Sequence, residues 1–233
     1  MMLGCGGRHS RGIVSDYGVI FDVDGVLVDS GPPHRESWHR LAREVHLPMS
    51  DEFFVRTFGQ TNKDILEALF GRELPEAEWR PLSERKEVLY RDIIRGRVPA
   101  MPGAVALVET LDADGARLAV GSSGPAENIE LCLDEMGIRH CFRAVITGEH
   151  VTRGKPDPQV FLLAAEGLGL APERCVVIED AVIGVEAAKR AGMAAVALTS
   201  GHPRDAFPHA DCVVDSLAEL GPVCLHNLVG RQG

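Results

Sequence analysis

An apolar stretch of strand character, Gly18 to Phe21, runs straight into Asp22, Asp24 and Gly25 in the segment GVIFDVDGVLVDS. Two carboxylates one residue apart at the end of a buried strand repel each other unless a cation lies near both, so a metal site is the first chemistry they suggest. A calcium loop of the helix-loop-helix kind needs glycine at its sixth position and glutamate at its twelfth. Counting from Asp22, those positions are Leu27 and Pro33, and that reading fails. A strand end whose acids only cap the next turn stays open on this motif alone.

Three further strand ends carry polar residues. The run Leu118 to Gly121 is followed by Ser122, Ser123 and Gly124, small hydroxyls with an open backbone that suit an anion, although serine before a helix is also an ordinary N-cap. Lys155 stands between Gly154 and Pro156, where a stiff turn would offer its ammonium as a fixed point charge; the alternative is a solvated surface lysine. Val176 to Ile178 ends in the adjacent acids Glu179 and Asp180. Taken together, an Asp-x-Asp, a hydroxyl, a lysine and an acid pair supply hard oxygen ligands for magnesium and donors for phosphoryl oxygens. That combination is the equipment of a phosphoryl-transfer site.

Such residues need a scaffold that brings strand ends together. After Pro99 the chain alternates helices with short apolar strands: helices over Ala104 to Leu111, Ala126 to Met136, Pro158 to Glu166 and Val182 to Ala191, and strands over Arg117 to Gly121, Ala144 to Thr147, Cys175 to Ile178, Ala194 to Leu198 and Cys212 to Val214. This alternation predicts an α/β fold with a doubly wound, parallel, Rossmann-like sheet, in which ligands lie beyond the carboxyl ends of the strands. Gly31-Pro32-Pro33 reads as a break. From His34 to about Gly96 helical periodicity dominates, as in Trp38, Leu41, Ala42 and Val45 or Ile65, Leu66, Leu69 and Phe70. The expected division is a tail over 1–15, a catalytic core over 16–31 and 99–233, and a small helical cap inserted over 32–98.

Composition narrows the partners. In 233 residues, 45% are apolar and 25% charged, an ordinary globular balance. The net charge of −10 argues against nucleic acid and acidic membrane surfaces and favours small-molecule chemistry. No apolar run reaches the length of a membrane span. The six cysteines, Cys5, Cys132, Cys141, Cys175, Cys212 and Cys224, form no CxxC pair, which points to a reduced, cytoplasmic protein. The sequence sets no oligomeric state, and a monomer is the expectation.

The four motifs Asp22-Val23-Asp24-Gly25, Ser122, Lys155-Pro156-Asp157-Pro158 and Glu179-Asp180 resemble those of the haloacid dehalogenase-like phosphohydrolases over about Gly18 to Leu220. The helical insert is similar to the small cap of the branch that contains beta-phosphoglucomutase and phosphoglycolate phosphatase. The resemblance implies that Asp22 is the nucleophile and Asp24 the general acid and then base. It implies Mg2+ held by Asp22, the carbonyl of Asp24, and Asp180 with help from Glu179, and a transferring phosphate bound by Ser122, Ser123 and Lys155. It also implies that His34, Asn62 and Lys86 fall at cap positions facing the substrate. An acid at the second position favours phosphate esters over carbon–halogen bonds. Asn62 stands where the mutase has a cap arginine, with Lys63 beside it, and Gly124 replaces the mutase's second serine. These departures favour a phosphatase acting on a small phosphorylated metabolite, such as a sugar phosphate or phosphoglycolate. A phosphomutase is the alternative, and a non-catalytic binding protein of the same fold is a further one.

Overall fold

The computed structural model describes residues 17–229, and the tail expected over 1–15 lies outside them. Its centre is a parallel sheet of β1 (Gly18–Phe21), β2 (Arg117–Gly121), β3 (Phe142–Ile146), β4 (Cys175–Glu179), β5 (Ala194–Leu198) and β6 (Cys212–Val214), in the order β3-β2-β1-β4-β5-β6. β1 is central, with Phe21 paired to Val120 of β2 on one side and to Ile178 of β4 on the other. The strand order reverses at β1, so the loops after β1, β2 and β4 open onto one crevice.

Both faces of this sheet are covered, which is why its strands read as unbroken apolar runs. Val19, Phe21, Val120, Val176 and Ile178 face a core shared with α5 (Ala104–Ala113) and α6 (Ala126–Glu135). Ile20, Ala119 and Val177 face a second core under α7 (Gln159–Leu168) and α8 (Val182–Arg190). The helix α9 (Pro222–His226) adds Leu225 to the first core.

Between β1 and α5 the chain forms α1 (Gly31–Glu44), α2 (Asp51–Thr57), α3 (Asn62–Phe70) and α4 (Glu76–Ile94). These helices bury Trp38, Leu41, Phe54, Ile65, Leu66, Leu74 and Leu89 in a core of their own. The last turns of α4 do something else: Tyr90, Ile93 and Ile94 enter the sheet-side core and tie the insert down. Gly31-Pro32-Pro33 is not a break ahead of the helix but its first turn. A helix's first N–H groups have no intrahelical partner, so proline costs nothing there. The turn from Gly59 closes with Thr61 as N-cap, its hydroxyl accepting from Asp64 N at 3.2 Å, and this makes Asn62 the first residue of α3.

Candidate active site

Asp22 and Asp24 leave β1 into different surroundings. The Asp22 N–H still donates to Ile178 O (3.0 Å), so its carboxylate is delivered at the last sheet-paired position, 6% exposed. Asp24 sits in a tight loop held by Gly25 N to Val28 O (2.8 Å) and Leu27 N to Val23 O (2.9 Å). Gly25 has φ +73°, and a Cβ there would collide with the Asp180 carboxylate, so only glycine lets the loop lie this close to β4.

On the Asp22 side, ligand atoms from Asp22, Glu179 and Asp180 all lie within 4.8 Å of one another. The Lys155 ammonium, which the sequence left open as a surface group, is buried among them, 2.9 Å from Asp22 Oδ1 and 2.6 Å from Glu179 Oε1. The other Glu179 oxygen accepts from the N–H groups of Asp180 and Ala181, each at 2.8 Å. Glu179 is thus occupied on both oxygens and fixes its neighbours in place, while the Asp180 carboxylate, among the described residues, takes a long contact, 3.3 Å, from the Ser200 hydroxyl. Gly184 makes room for this packing, because a Cβ there would overlap the Glu179 carboxylate.

One ammonium does not neutralise two buried acids and a third that is half-buried beside them. Burial, followed by Glu179 and Asp24 and opposed by Lys155, raises the Asp22 pKa to about 7. Burial, Glu179, Asp22 and Asp24 raise that of Asp180 to about 8. Burial disfavours the Lys155 ammonium, but Asp22 and Glu179 outweigh it and hold its pKa above the usual lysine range. This excess of hard, negatively charged oxygen is the donor set that magnesium takes.

Asp24 has a different environment. His34 stands at its entrance, Nε2 3.5 Å from Asp24 Oδ1, and Nδ1 of the same ring is 2.8 Å from Lys86 Nζ. An ammonium can only donate, so Nδ1 accepts and Nε2 carries the proton that points at Asp24. Burial and Lys86 lower the His34 pKa, which keeps the ring neutral. Burial pushes the Asp24 pKa up, but His34, Ser30 and Lys86 prevail and bring it to about 2. The imidazole is fixed from behind by the Tyr90 ring, stacked at 4.1 Å between centroids.

Lys86 is 2% exposed and bonds Glu87 Oε1 at 3.0 Å. The Asn62 amide donates to the same oxygen (2.7 Å) and to Ser83 Oγ (3.0 Å), while Asn128 of α6 donates to Glu87 Oε2 (2.6 Å). The expected cap group is therefore divided. His34 and Lys86 reach Asp24, whereas Asn62 meets them only through Glu87.

Ser122, 1% exposed, closes β2 with its N–H on Ile146 O (3.0 Å) and its Oγ accepting from Gly124 N (3.2 Å). An added Cβ at Gly124 would lie 3.5 Å from Ser122 Oγ and 3.6 Å from Asp24 Oδ2, so this serine and Asp24 flank the same small space. Ser123 is exposed beside it. Glu87, Asn128, Tyr90 and Ser200 were not singled out in the sequence. For Glu87 a signal existed: Lys86 and Tyr90 are four residues apart on α4, on the face that Ile93 and Ile94 continue into the core, which marks the Lys86-Glu87 pair as buried.

The haloacid dehalogenase-like hydrolase family model matches residues 18–192. Fructose-1-phosphate phosphatase YqaB of Escherichia coli (strain K12) is 34% identical over 77% of this chain and 94% of that protein. Beta-phosphoglucomutase of Bacillus subtilis (strain 168) is 33% identical over 89% of this chain and 93% of its own length. Among solved structures, that of CbbY from Rhodobacter sphaeroides in complex with phosphate superimposes with a TM-score of 0.80 at 26% identity, covering 90% of this chain and 98% of the other. The family match takes in all four strand-end motifs and the whole helical insert, and the chain belongs to the haloacid dehalogenase-like hydrolases.

Proposed function

We propose that the protein is a magnesium-dependent phosphatase that hydrolyses a small sugar or polyol phosphate through a phosphorylated Asp22. The observation that carries this is the separation of two adjacent acids into unlike environments. Asp22 lies buried among an ammonium and two further carboxylates, and Asp24 lies against a neutral, proton-bearing imidazole.

Asp22 attacks phosphorus and the ester oxygen departs on the opposite side. Lys155 and Ser122 hold the transferring oxygens, the ammonium exchanging part of its contact with Asp22 for them. Asp22 and Asp180, with the Asp24 carbonyl and with Glu179 behind them, would hold the magnesium, which offsets the repulsion between carboxylate and phosphate. In the free site Asp24 is ionised, the form that takes a proton from water in the second half of the reaction. A dianionic ester arriving beside it raises its proton affinity by like-charge repulsion, so Asp24 takes up a proton from solvent as the ester binds and passes that proton to the leaving oxygen first.

Two of the compared relatives carry a phosphatase and a mutase name, and the cap distinguishes these readings. A mutase must grip a second phosphate in the cap, yet Asn62 is engaged by Glu87 and Lys86 by Glu87 and His34. Hydrolysis is the better fit. We place the protein in the cytoplasm as a monomer without a nucleic-acid partner, on the acidic charge and on the five described cysteines, which are all free. Among the described residues no helix is long and apolar enough to cross a membrane. The test is phosphate release from a panel of small esters with and without magnesium, with conversion of beta-glucose 1-phosphate to glucose 6-phosphate followed in parallel. Isomerisation without phosphate release would establish the mutase instead.

A further inference from the structure

We infer that Glu87 makes this site select against any leaving group that bears an anion, so that the substrate is the phosphate monoester of an uncharged polyhydroxyl compound. This rests on the phosphatase reading and narrows it: a bisphosphate, or a carboxylated ester such as phosphoglycolate, is a poor substrate.

The leaving group has to lie between Asp24 and the cap, because Asp24 is the acid on the side away from Asp22. The cap wall nearest Asp24 is the series His34, Lys86, Glu87, joined at 3.5, 2.8 and 3.0 Å. Nδ1 of His34 accepts from the Lys86 ammonium at 2.8 Å, so the ring carries a single proton and the wall's charge is decided by Lys86 and Glu87. Glu87 cancels the only buried cation of the cap, and it cannot swing away, since Asn62 and Asn128 hold it from two further directions. Burial would favour its neutral form, but Lys86, Asn62 and Asn128 bring its pKa below the usual value and keep it a carboxylate.

Other described cations of the cap also have partners of their own. Arg91 is bonded by Glu127 (2.7 Å) and by Asn128 (2.9 Å). Lys63 faces Glu67 at 3.6 Å, and Arg56 lies over the Phe53 ring. In the site as a whole, Asp22, Asp24, Glu87, Glu179 and Asp180 face Lys86 and Lys155. Even a divalent cation leaves this set without positive charge to spare, and the transferring phosphoryl group already adds negative charge. A hydroxyl-rich leaving group brings no charge and meets no such repulsion.

The closing experiment compares glycerol 3-phosphate with 3-phosphoglycerate, which differ by one hydroxymethyl group against one carboxylate. Binding of both is measured calorimetrically with magnesium in the Asp22→Asn background, where neither is consumed, and phosphate release is measured separately with Asp22 intact. Glycerol 3-phosphate should bind about tenfold or more tightly, the size expected of a like charge a few ångströms away in a partly buried site. Glu87→Gln should bring the ratio near one by improving 3-phosphoglycerate binding. Asn62→Lys, which adds a cation without removing the Glu87 carboxylate, should move it the same way and serves if Glu87→Gln does not fold. Equal binding by the Asp22→Asn protein, or a ratio unmoved in a folded variant, overturns the inference while leaving phosphate release intact. Failure of both esters to bind overturns it too. If the ratio shifts as stated but no ester releases phosphate, the charge selection stands and the phosphatase reading falls.

Discussion

The imidazole of His34 bridges Lys86 and Asp24, its Nδ1 2.8 Å from the ammonium and its Nε2 3.5 Å from the carboxylate. Lys86 comes from α4 of the cap and Asp24 from the loop after β1, so the proton on Nε2 is assigned by a residue of the other layer. Lys86→Met frees Nδ1 to take the proton and turns Nε2 into an acceptor facing a carboxylate. Turnover of an alkyl phosphate should fall about tenfold to 10²-fold. Release of p-nitrophenolate, which leaves without needing a proton, should fall much less. An equal loss for both esters would mean that Lys86 does not act through Asp24.

The two acids should separate kinetically. Asp22→Asn removes the proposed nucleophile and should lower turnover about 10⁴-fold or more for every ester. Asp24→Asn should spare phosphoryl transfer from a good leaving group while slowing hydrolysis of the phosphorylated enzyme. Mass spectrometry after rapid acid quench should then find a phosphate on Asp22. Its absence, with turnover normal, would contradict the assignment of Asp24.

Magnesium should stabilise the fold more at high pH than at low. Burial and like charges raise Asp22 to about 7 and Asp180 to about 8 from an ordinary value of 3.8. The folded, metal-free protein therefore holds protons that the unfolded chain has released. Their contribution is fully present below about pH 3.8 and is lost as the pH rises through 7 and 8. A divalent cation takes over where those protons leave. The gain in melting temperature on adding magnesium should be clearly larger at pH 8 than at pH 5.5, and equal gains would put the ion elsewhere.

Gly184→Ala should be costly despite its mild chemistry. The new methyl group would overlap the Glu179 carboxylate, whose oxygens hold Lys155 and two backbone N–H groups. A loss of about 2–4 kcal/mol in unfolding free energy, with a drop in phosphate affinity, is expected from overpacking plus broken bonds to a buried charge. Chemical denaturation checks the first and phosphate titration the second.

The sequence announced what was local. Apolar runs ending in Asp22, Ser122 and Glu179 located the strands, and parallel alternation put their ends in one crevice. Lys155 could be named but not placed, since a lysine beside a proline is as compatible with solvent as with burial. Glu87, Asn128 and Asn62 meet across helices α4, α6 and α3, and contacts between elements leave no periodic trace in the chain. The two prolines at 32 and 33 misled for a plain reason: proline breaks a helix interior and begins one equally well.

The central position of β1 has a consequence for how the molecule is made. Gly18 pairs with Arg117 on one side and Cys175 on the other, with the whole helical insert in between. A ribosome therefore releases β1 long before either neighbour exists, and the strand must wait unpaired while the insert forms. Parallel pairing at such sequence separation is slow and leaves apolar edges open to other chains. The four pieces of the site come into register only when β4 docks, so catalytic competence should wait on that pairing and precede the addition of the outer strands β5 and β6.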